Sequence, residues 1–144
     1  MKIERTMQGS MEECFTLLAQ SYVNDANSNQ KRQQSIEDLR VGNNFKKELT
    51  AKLGNSGLVE VTLVQFDQPS IIEINFRSAQ GINKLVYELS PIDDNSFHIT
   101  YSEDFESEKK SNSLNYKLMS RLSKRKINKA AKLTLDRLEM ILNQ

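Results

Sequence analysis

The chain has one histidine, His98, and one cysteine, Cys14. A Cys–His nucleophile needs a thiolate held beside an imidazole base. Cys14 falls in mid-helix among Met11, Phe15, Leu18 and Tyr22, so a buried structural thiol is the expected role. His98 sits with Thr100 on the strand face opposite Phe97, Ile99 and Tyr101, and is expected to face solvent. A single histidine with no spaced partner does not make a zinc site, which wants three or four ligands. No nucleophile elbow or phosphate-cradling loop occurs. No catalytic residue, metal ligand or cofactor is therefore assigned.

Two pairs of carboxylates remain, Asp93 with Asp94 and Glu106 with Glu108. General acid–base work needs a cleft with two separated environments. These pairs fall in a turn and an acidic loop, and read as solvated surface. Polar residues in phase with apolar neighbours are more informative. Tyr87, Tyr101 and Glu103 share the inward phase of the last two strands, and Lys47 shares that of Phe45 and Leu49. A cavity with a few convergent polar groups is what a small-molecule site requires. Lys47 and Glu103 are expected to reach solvent near strand ends, since unpaired charges are rarely fully buried. If an acid–base pair exists, Tyr87 with Glu103 is preferred over Tyr101 with Glu103.

The elements that position these residues follow from periodicity. Met1 to Met7 alternates, with Ile3, Arg5 and Met7 on one side. Ser10 and Glu13 have the spacing of a capping box. The helix they open carries Met11, Cys14, Phe15, Leu18 and Tyr22 on one face and is predicted to end near Val23. Asn24 to Gln30 reads as a loop, and Gln33 to Leu39 as a short helix burying Ile36 and Leu39. Five strands follow at period two. Their predicted turns are Gly54-Asn55-Ser56-Gly57, Asp67-Gln68-Pro69, Gln80-Gly81 and the loop Pro91–Asn95. Phe97, Ile99, Tyr101 and Phe105 line the last strand. Leu114 to Leu142 contains no Gly or Pro and predicts a helix of about 43 Å at ~1.5 Å per residue. Leu114, Leu118, Leu122, Ile127, Ala131, Leu135 and Leu138 form its apolar face. The fold class is α+β, an antiparallel sheet of about six strands needing a cover, for which the terminal helix is the element large enough.

That order resembles the helix-grip fold of the START-like superfamily of polyketide cyclases and lipid-transfer proteins. Three places carry the likeness. A strand runs into a capped helix at Met7-Gln8-Gly9-Ser10-Met11-Glu12-Glu13-Cys14-Phe15. A strand, acidic turn and Thr/Tyr strand span Leu85 to Tyr101. The last helix runs from Leu118 through a basic stretch to Leu142. The chain looks most like a group of short, uncharacterised START-like proteins from Gram-positive bacteria. The resemblance covers nearly all of residues 1–144 and implies a single domain, a curved sheet and a cavity between sheet and C-terminal helix. Cavity-lining candidates are then Phe45, Leu49, Ile74, Phe76, Leu85, Tyr87, Phe97, Ile99, Tyr101, Glu103, Leu118 and Leu122. Fold does not fix function, so the site must be argued separately.

The 144 residues include 20 basic and 19 acidic ones, for a net charge of +1. That excludes a globally basic nucleic-acid binder. The charge is nevertheless divided. Residues 1–108 hold 10 basic and 17 acidic residues, a net of −7, whereas residues 109–144 hold 10 basic and 2 acidic, a net of +8. Lys117, Arg121, Lys124, Arg125, Lys129 and Lys132 make a basic surface on the terminal helix. No aromatic residues interleave with them, and a solvated outer face is the plain reading. No apolar run approaches the ~20 residues of a membrane span, and a lone cysteine fits a reducing cytoplasm. The sequence thus predicts a cytoplasmic, non-catalytic domain that binds a small apolar or amphipathic ligand. An interaction module with a filled core, docking a partner or a second copy on its basic helix, is the first alternative. A cyclase- or hydratase-type enzyme is the other.

Overall fold

The computed structural model describes residues 1–28, 33–50, 56–107 and 114–144, and within them all side chains except those of 49, 50, 56 and 114–123. The elements are β1 (Lys2–Gln8), α1 (Met11–Asn27), a 3-10 turn (Ile36–Asp38), β2 (Asn44–Thr50), β3 (Ser56–Asp67), β4 (Ile71–Ser78), β5 (Gly81–Asp93), β6 (Ser96–Ser107) and α2 (Leu114–Leu142). The strands form one antiparallel sheet in the order β1-β6-β5-β4-β3-β2. Sequential antiparallel pairing makes β2 to β6 a meander. β1 closes on β6 by matching its inward residues, Ile3 to Tyr101, Arg5 to Ile99 and Met7 to Phe97. A one-residue slip would turn each of these to the other face.

Both helices cover the inward face of this sheet. α1 buries Cys14, Phe15, Leu18, Ala19, Tyr22, Val23 and Ala26 and touches β2 and β5. α2 buries Ala131, Leu135 and Leu138 and packs on β1 and α1. The expectation that α2 alone supplies the cover is thereby corrected. Arg5 reaches across to α2, with Nη1 2.7 Å from Asp136 Oδ1 and 3.5 Å from Glu139 Oε2.

Four further sequence expectations are corrected. α1 runs on to Asn27, one turn beyond Val23, because Ala26 is buried and Asn27 is held from outside. The Asn27 side chain donates to Gln34 O at 2.9 Å and accepts from Gln34 N at 2.9 Å. β5 continues through Pro91 to Asp93. β4 ends its pairing at Ile71 opposite Glu88, so Pro91 has a ladder neighbour only in β6, at Phe97. Phe105 keeps the inward phase but is 50% exposed, since it lies beyond Ser102, where β1 ceases to flank β6. The second helix predicted over Gln33 to Leu39 is reduced to the 3-10 turn Ile36–Asp38; Leu39, which follows it, is buried, whereas Ile36 is half-buried. Residues 54 and 55 of the predicted Gly54–Gly57 hairpin turn lie outside the described residues, as do 29 and 30 of the predicted loop.

Gly81 opens β5 at φ +148°, and a Cβ there would sit 2.1 Å from the backbone oxygen of Glu106. Gly81→Ala is expected to cost about 2–3 kcal/mol in urea unfolding, because both the backbone conformation and the β5–β6 spacing must yield. Gly42, at φ +96° with nothing within 4 Å of the place a Cβ would occupy, isolates the conformational cost. Its alanine variant should lose only about 1–2 kcal/mol.

Candidate functional site

The Ser10 hydroxyl caps α1 by accepting from Glu13 N at 3.2 Å and donates to the Glu12 carboxylate at 3.3 Å. The cap fixes which face of α1 turns to the sheet. Leu18, Ser21, Tyr22 and Asp25 share one side of the helix, at steps of three and four residues. Beneath them the register aligns Val61 with Phe76 and Ile74 with Leu85. Between α1 and the strands lies a cavity of about 340 Å³, lined by Leu18, Ser21, Tyr22, Asp25, Lys47, Val61, Ile74, Phe76, Leu85 and Tyr87, which corrects the expected place between the sheet and the C-terminal helix.

The polar groups of this cavity are fixed to different degrees. Lys47 Nζ pairs with Asp25 Oδ2 at 2.7 Å and lies 5.5 Å from the centroid of the Phe76 ring. Lys47 thus turns to a partner and an aromatic face at the cavity, where solvent had been expected. The Tyr22 hydroxyl donates to Asn43, whose O and Oδ1 lie at 3.0 and 2.9 Å, and Asn43 Nδ2 donates to Gln34 Oε1 at 2.7 Å. Burial, reinforced by the Asp25 carboxylate, pushes the Tyr22 phenol above its ordinary range. Tyr87 stands edge-on to Tyr101, centroids 5.1 Å apart, as the pairing of β5 with β6 requires. Burial, and then the Glu103 carboxylate, raises the Tyr87 phenol as well. Both groups therefore remain protonated hydroxyls.

Glu103 is drawn into a network beside the cavity. The Tyr101 hydroxyl donates to its Oε2 at 2.5 Å, and Asn83 Nδ2 donates to its Oε1 at 2.6 Å. Glu103 therefore bonds to Tyr101 on its own strand; the preference for Tyr87 over Tyr101 as its acid–base partner is corrected. Residues 101 and 103 are two apart and share a face, whereas Tyr87 lies opposite Tyr101 and Glu103 opposite Leu85. Burial, then the hydrogen bond and charge of Glu103, drives the Tyr101 phenol upward. Both Glu103 oxygens are taken by donors, an arrangement suited to holding β5 and β6 together.

Of the residues singled out from sequence, Ile74, Phe76, Leu85 and Tyr87 line the cavity. Phe45 packs edge-on against Tyr22 at 5.4 Å, while Phe97 and Ile99 are wholly buried core, and none of the three lines it. Tyr101 and Glu103 lie outside the lining, in the network just described. The side chains of Leu49, Leu118, Leu122, Lys117 and Arg121 are outside the described ones. Lys124, Arg125, Lys129 and Lys132 are exposed on α2. Sequence reasoning missed the α1 contribution of Leu18, Ser21, Tyr22 and Asp25, although their helical spacing carried the signal. It also missed Val61.

The other reactive types have structural surroundings. Asp93 accepts from Asn95 N at 2.9 Å and from Ser96 Oγ at 2.8 Å. These bonds hold its carboxyl below the usual range and staple the β5–β6 turn. His98 is half-buried, between Thr6 and Ser90 on the neighbouring strands. Among the described residues, no group of three or more His, Cys, Asp or Glu side chains is placed to hold a metal ion. Cys14 is fully buried, and burial pushes its thiol from 9.0 up to about 12. The folded state therefore keeps a proton that the unfolded chain releases. This contribution to stability is intact below pH 9.0 and fades as pH rises toward about 12. Iodoacetamide at mildly alkaline pH should leave the native thiol unmodified and label it fully in urea; rapid native labelling would show that the thiol is accessible.

Residues 1–123 match the family described as Domain of unknown function (DUF3284). The fold is similar to that of a START superfamily protein from Mycobacterium smegmatis, at 11% identity and TM-score 0.63, covering 98% of this chain and 97% of that one. A protein of unknown function from Staphylococcus aureus is similar at 12% identity and TM-score 0.65, covering 99% and 93%. A protein from Arthrobacter aurescens is similar at 11% identity and TM-score 0.63, covering 99% and 84%. Such identities carry the fold, which is the α+β helix-grip arrangement, and nothing finer. No curated protein matches the chain. No described helix is long and apolar enough to cross a membrane.

Proposed function

The chain belongs to the DUF3284 family and has a START-like fold, and from that premise we propose that residues 1–144 act as a single ligand-binding domain. It takes up a small apolar or amphipathic molecule, without catalysis, between α1 and the sheet. The observation that carries this reading is the cavity of about 340 Å³, at the lower end of the ~300–1,000 Å³ range of small-molecule sites. Leu18, Val61, Ile74, Phe76 and Leu85 give it apolar walls, and Lys47, Asp25, Tyr22 and Tyr87 supply a few polar groups. The non-catalytic half of the reading rests on Glu103, whose two oxygens are occupied and which is not part of the lining.

Native mass spectrometry of gently purified protein, before and after solvent extraction, tests this directly. The expected result is an added mass that extraction removes, with a melting temperature that rises when 2-acetylnaphthalene or 2-ethylnaphthalene is supplied. A bare mass together with a melting temperature indifferent to both compounds would remove the reading.

A further inference from the structure

The polar groups at the cavity are unequally satisfied. Tyr22 is committed to Asn43, and Lys47 and Asp25 to each other. Tyr87 is different. Its residue is only 7% exposed and lines the cavity, yet no described residue accepts its hydroxyl proton. Nor is the hydroxyl sealed in. Among the described residues, the enclosed side-chain atoms without partners are Asn75 Oδ1, Asn83 Oδ1 and Asn128 Oδ1, and the Tyr87 oxygen is not one of them. A buried phenol that keeps its proton, opens on a cavity and lacks an acceptor is a donor awaiting one.

The surrounding charge limits what that acceptor is. Lys47 and Asp25 cancel as a pair, and Glu103 lies near enough to act on the Tyr87 phenol. These three groups sum to one negative charge. An anionic head group placed at the hydroxyl would meet two carboxylates and one ammonium already engaged, in a site where screening by water is reduced.

We propose, resting on the ligand-binding reading above, that Tyr87 is the orienting donor of the cavity and that the ligand presents an uncharged carbonyl-type oxygen to its hydroxyl. The apolar remainder then lies against Leu18, Val61, Ile74 and Phe76. Lys47, over the Phe76 ring, closes the polar side of the cavity through its pair with Asp25.

The test is a matched series titrated against the full chain by NMR: 2-acetylnaphthalene, 2-ethylnaphthalene and 2-naphthoate. The ketone is expected to bind about three- to tenfold more tightly than the hydrocarbon, as one net hydrogen bond allows, and the carboxylate more weakly than the ketone. Tyr87→Phe keeps the ring and should erase the ketone's advantage over 2-ethylnaphthalene. Equal binding of ketone and hydrocarbon, an advantage that survives in Tyr87→Phe, or tightest binding by the carboxylate would each overturn the proposal and leave the cavity reading standing. Failure of all three compounds to bind would overturn both. The wild-type series decides the matter alone should Tyr87→Phe not fold.

Discussion

Phe15→Ala is expected to destabilise the protein by about 3–5 kcal/mol, the usual result of emptying a fully buried aromatic position. Phe15 has no exposed surface and meets Phe66 with ring centroids 5.4 Å apart. It sits near the start of α1 and pins that helix to β3, between Cys14 on its own helix and the strands below. A loss of this size is a large part of the ~5–15 kcal/mol that holds a domain together. Urea unfolding should show the midpoint falling steeply with the slope unchanged. A cost below about 1 kcal/mol would mean that α1 is held mainly by its later residues. Loss of α1 would also remove one wall of the cavity, so ligand binding should fall with stability.

Ile74→Trp should separate the two. Ile74 lies in the floor of the cavity, in register with Leu63 and Leu85. An indole there has open volume to enter, so the overpacking cost should stay at the low end of the ~1–3 kcal/mol seen in filled cores. Binding of 2-acetylnaphthalene should weaken at least about a hundredfold, equivalent to ~2.7 kcal/mol. The chain has no tryptophan, so emission from the new residue reports its own surroundings. A blue-shifted spectrum with binding intact would show that the ligand lies elsewhere.

The strands were legible because their period is two and their faces differ. Ile72, Ile74 and Phe76, then Leu85, Tyr87 and Leu89, then Phe97, Ile99 and Tyr101 all point inward, and apart from Val86 the residues between them within each strand are polar. Such a pattern is local, so no tertiary knowledge is needed to see it. The end of α1 was not legible for the opposite reason. Asn24, Asp25 and Asn27 have turn-forming side chains, and in isolation they argue against helix. What keeps them helical is distant: Lys47 for Asp25 and Gln34 for Asn27. Of the wall that α1 contributes to the cavity, Asp25 was hidden with it, whereas Leu18, Ser21 and Tyr22 fall within the part read as helix. Pro91 misled in the same way, since the missing neighbour that lets it stay in a strand is a property of where β4 ends. At Glu103 the pattern gave the correct face but the partner was misjudged, although Tyr101 lies two residues away on the same strand and alternation alone sets the two side by side.

The contact of Arg5 with Asp136 and Glu139 has a consequence for how α2 finds its seat. These are the only two acidic residues between 109 and 144, and both lie within ion-pairing distance of the same guanidinium. Exposed pairs of this kind add little to stability, about 0–1 kcal/mol. Their effect is on alignment. The core residues of α2 already set its place, because a shift of one turn would put Ala131 or Glu139 where Leu135 is wholly buried. Sliding the helix by one turn, ~5.4 Å, would bring Lys132 or Met140 to the place of Asp136. The first sets like charges against each other and the second leaves Arg5 without its nearest partner. The lone acidic notch in a basic helix thus adds a polar mark to the longitudinal setting that the buried residues already favour.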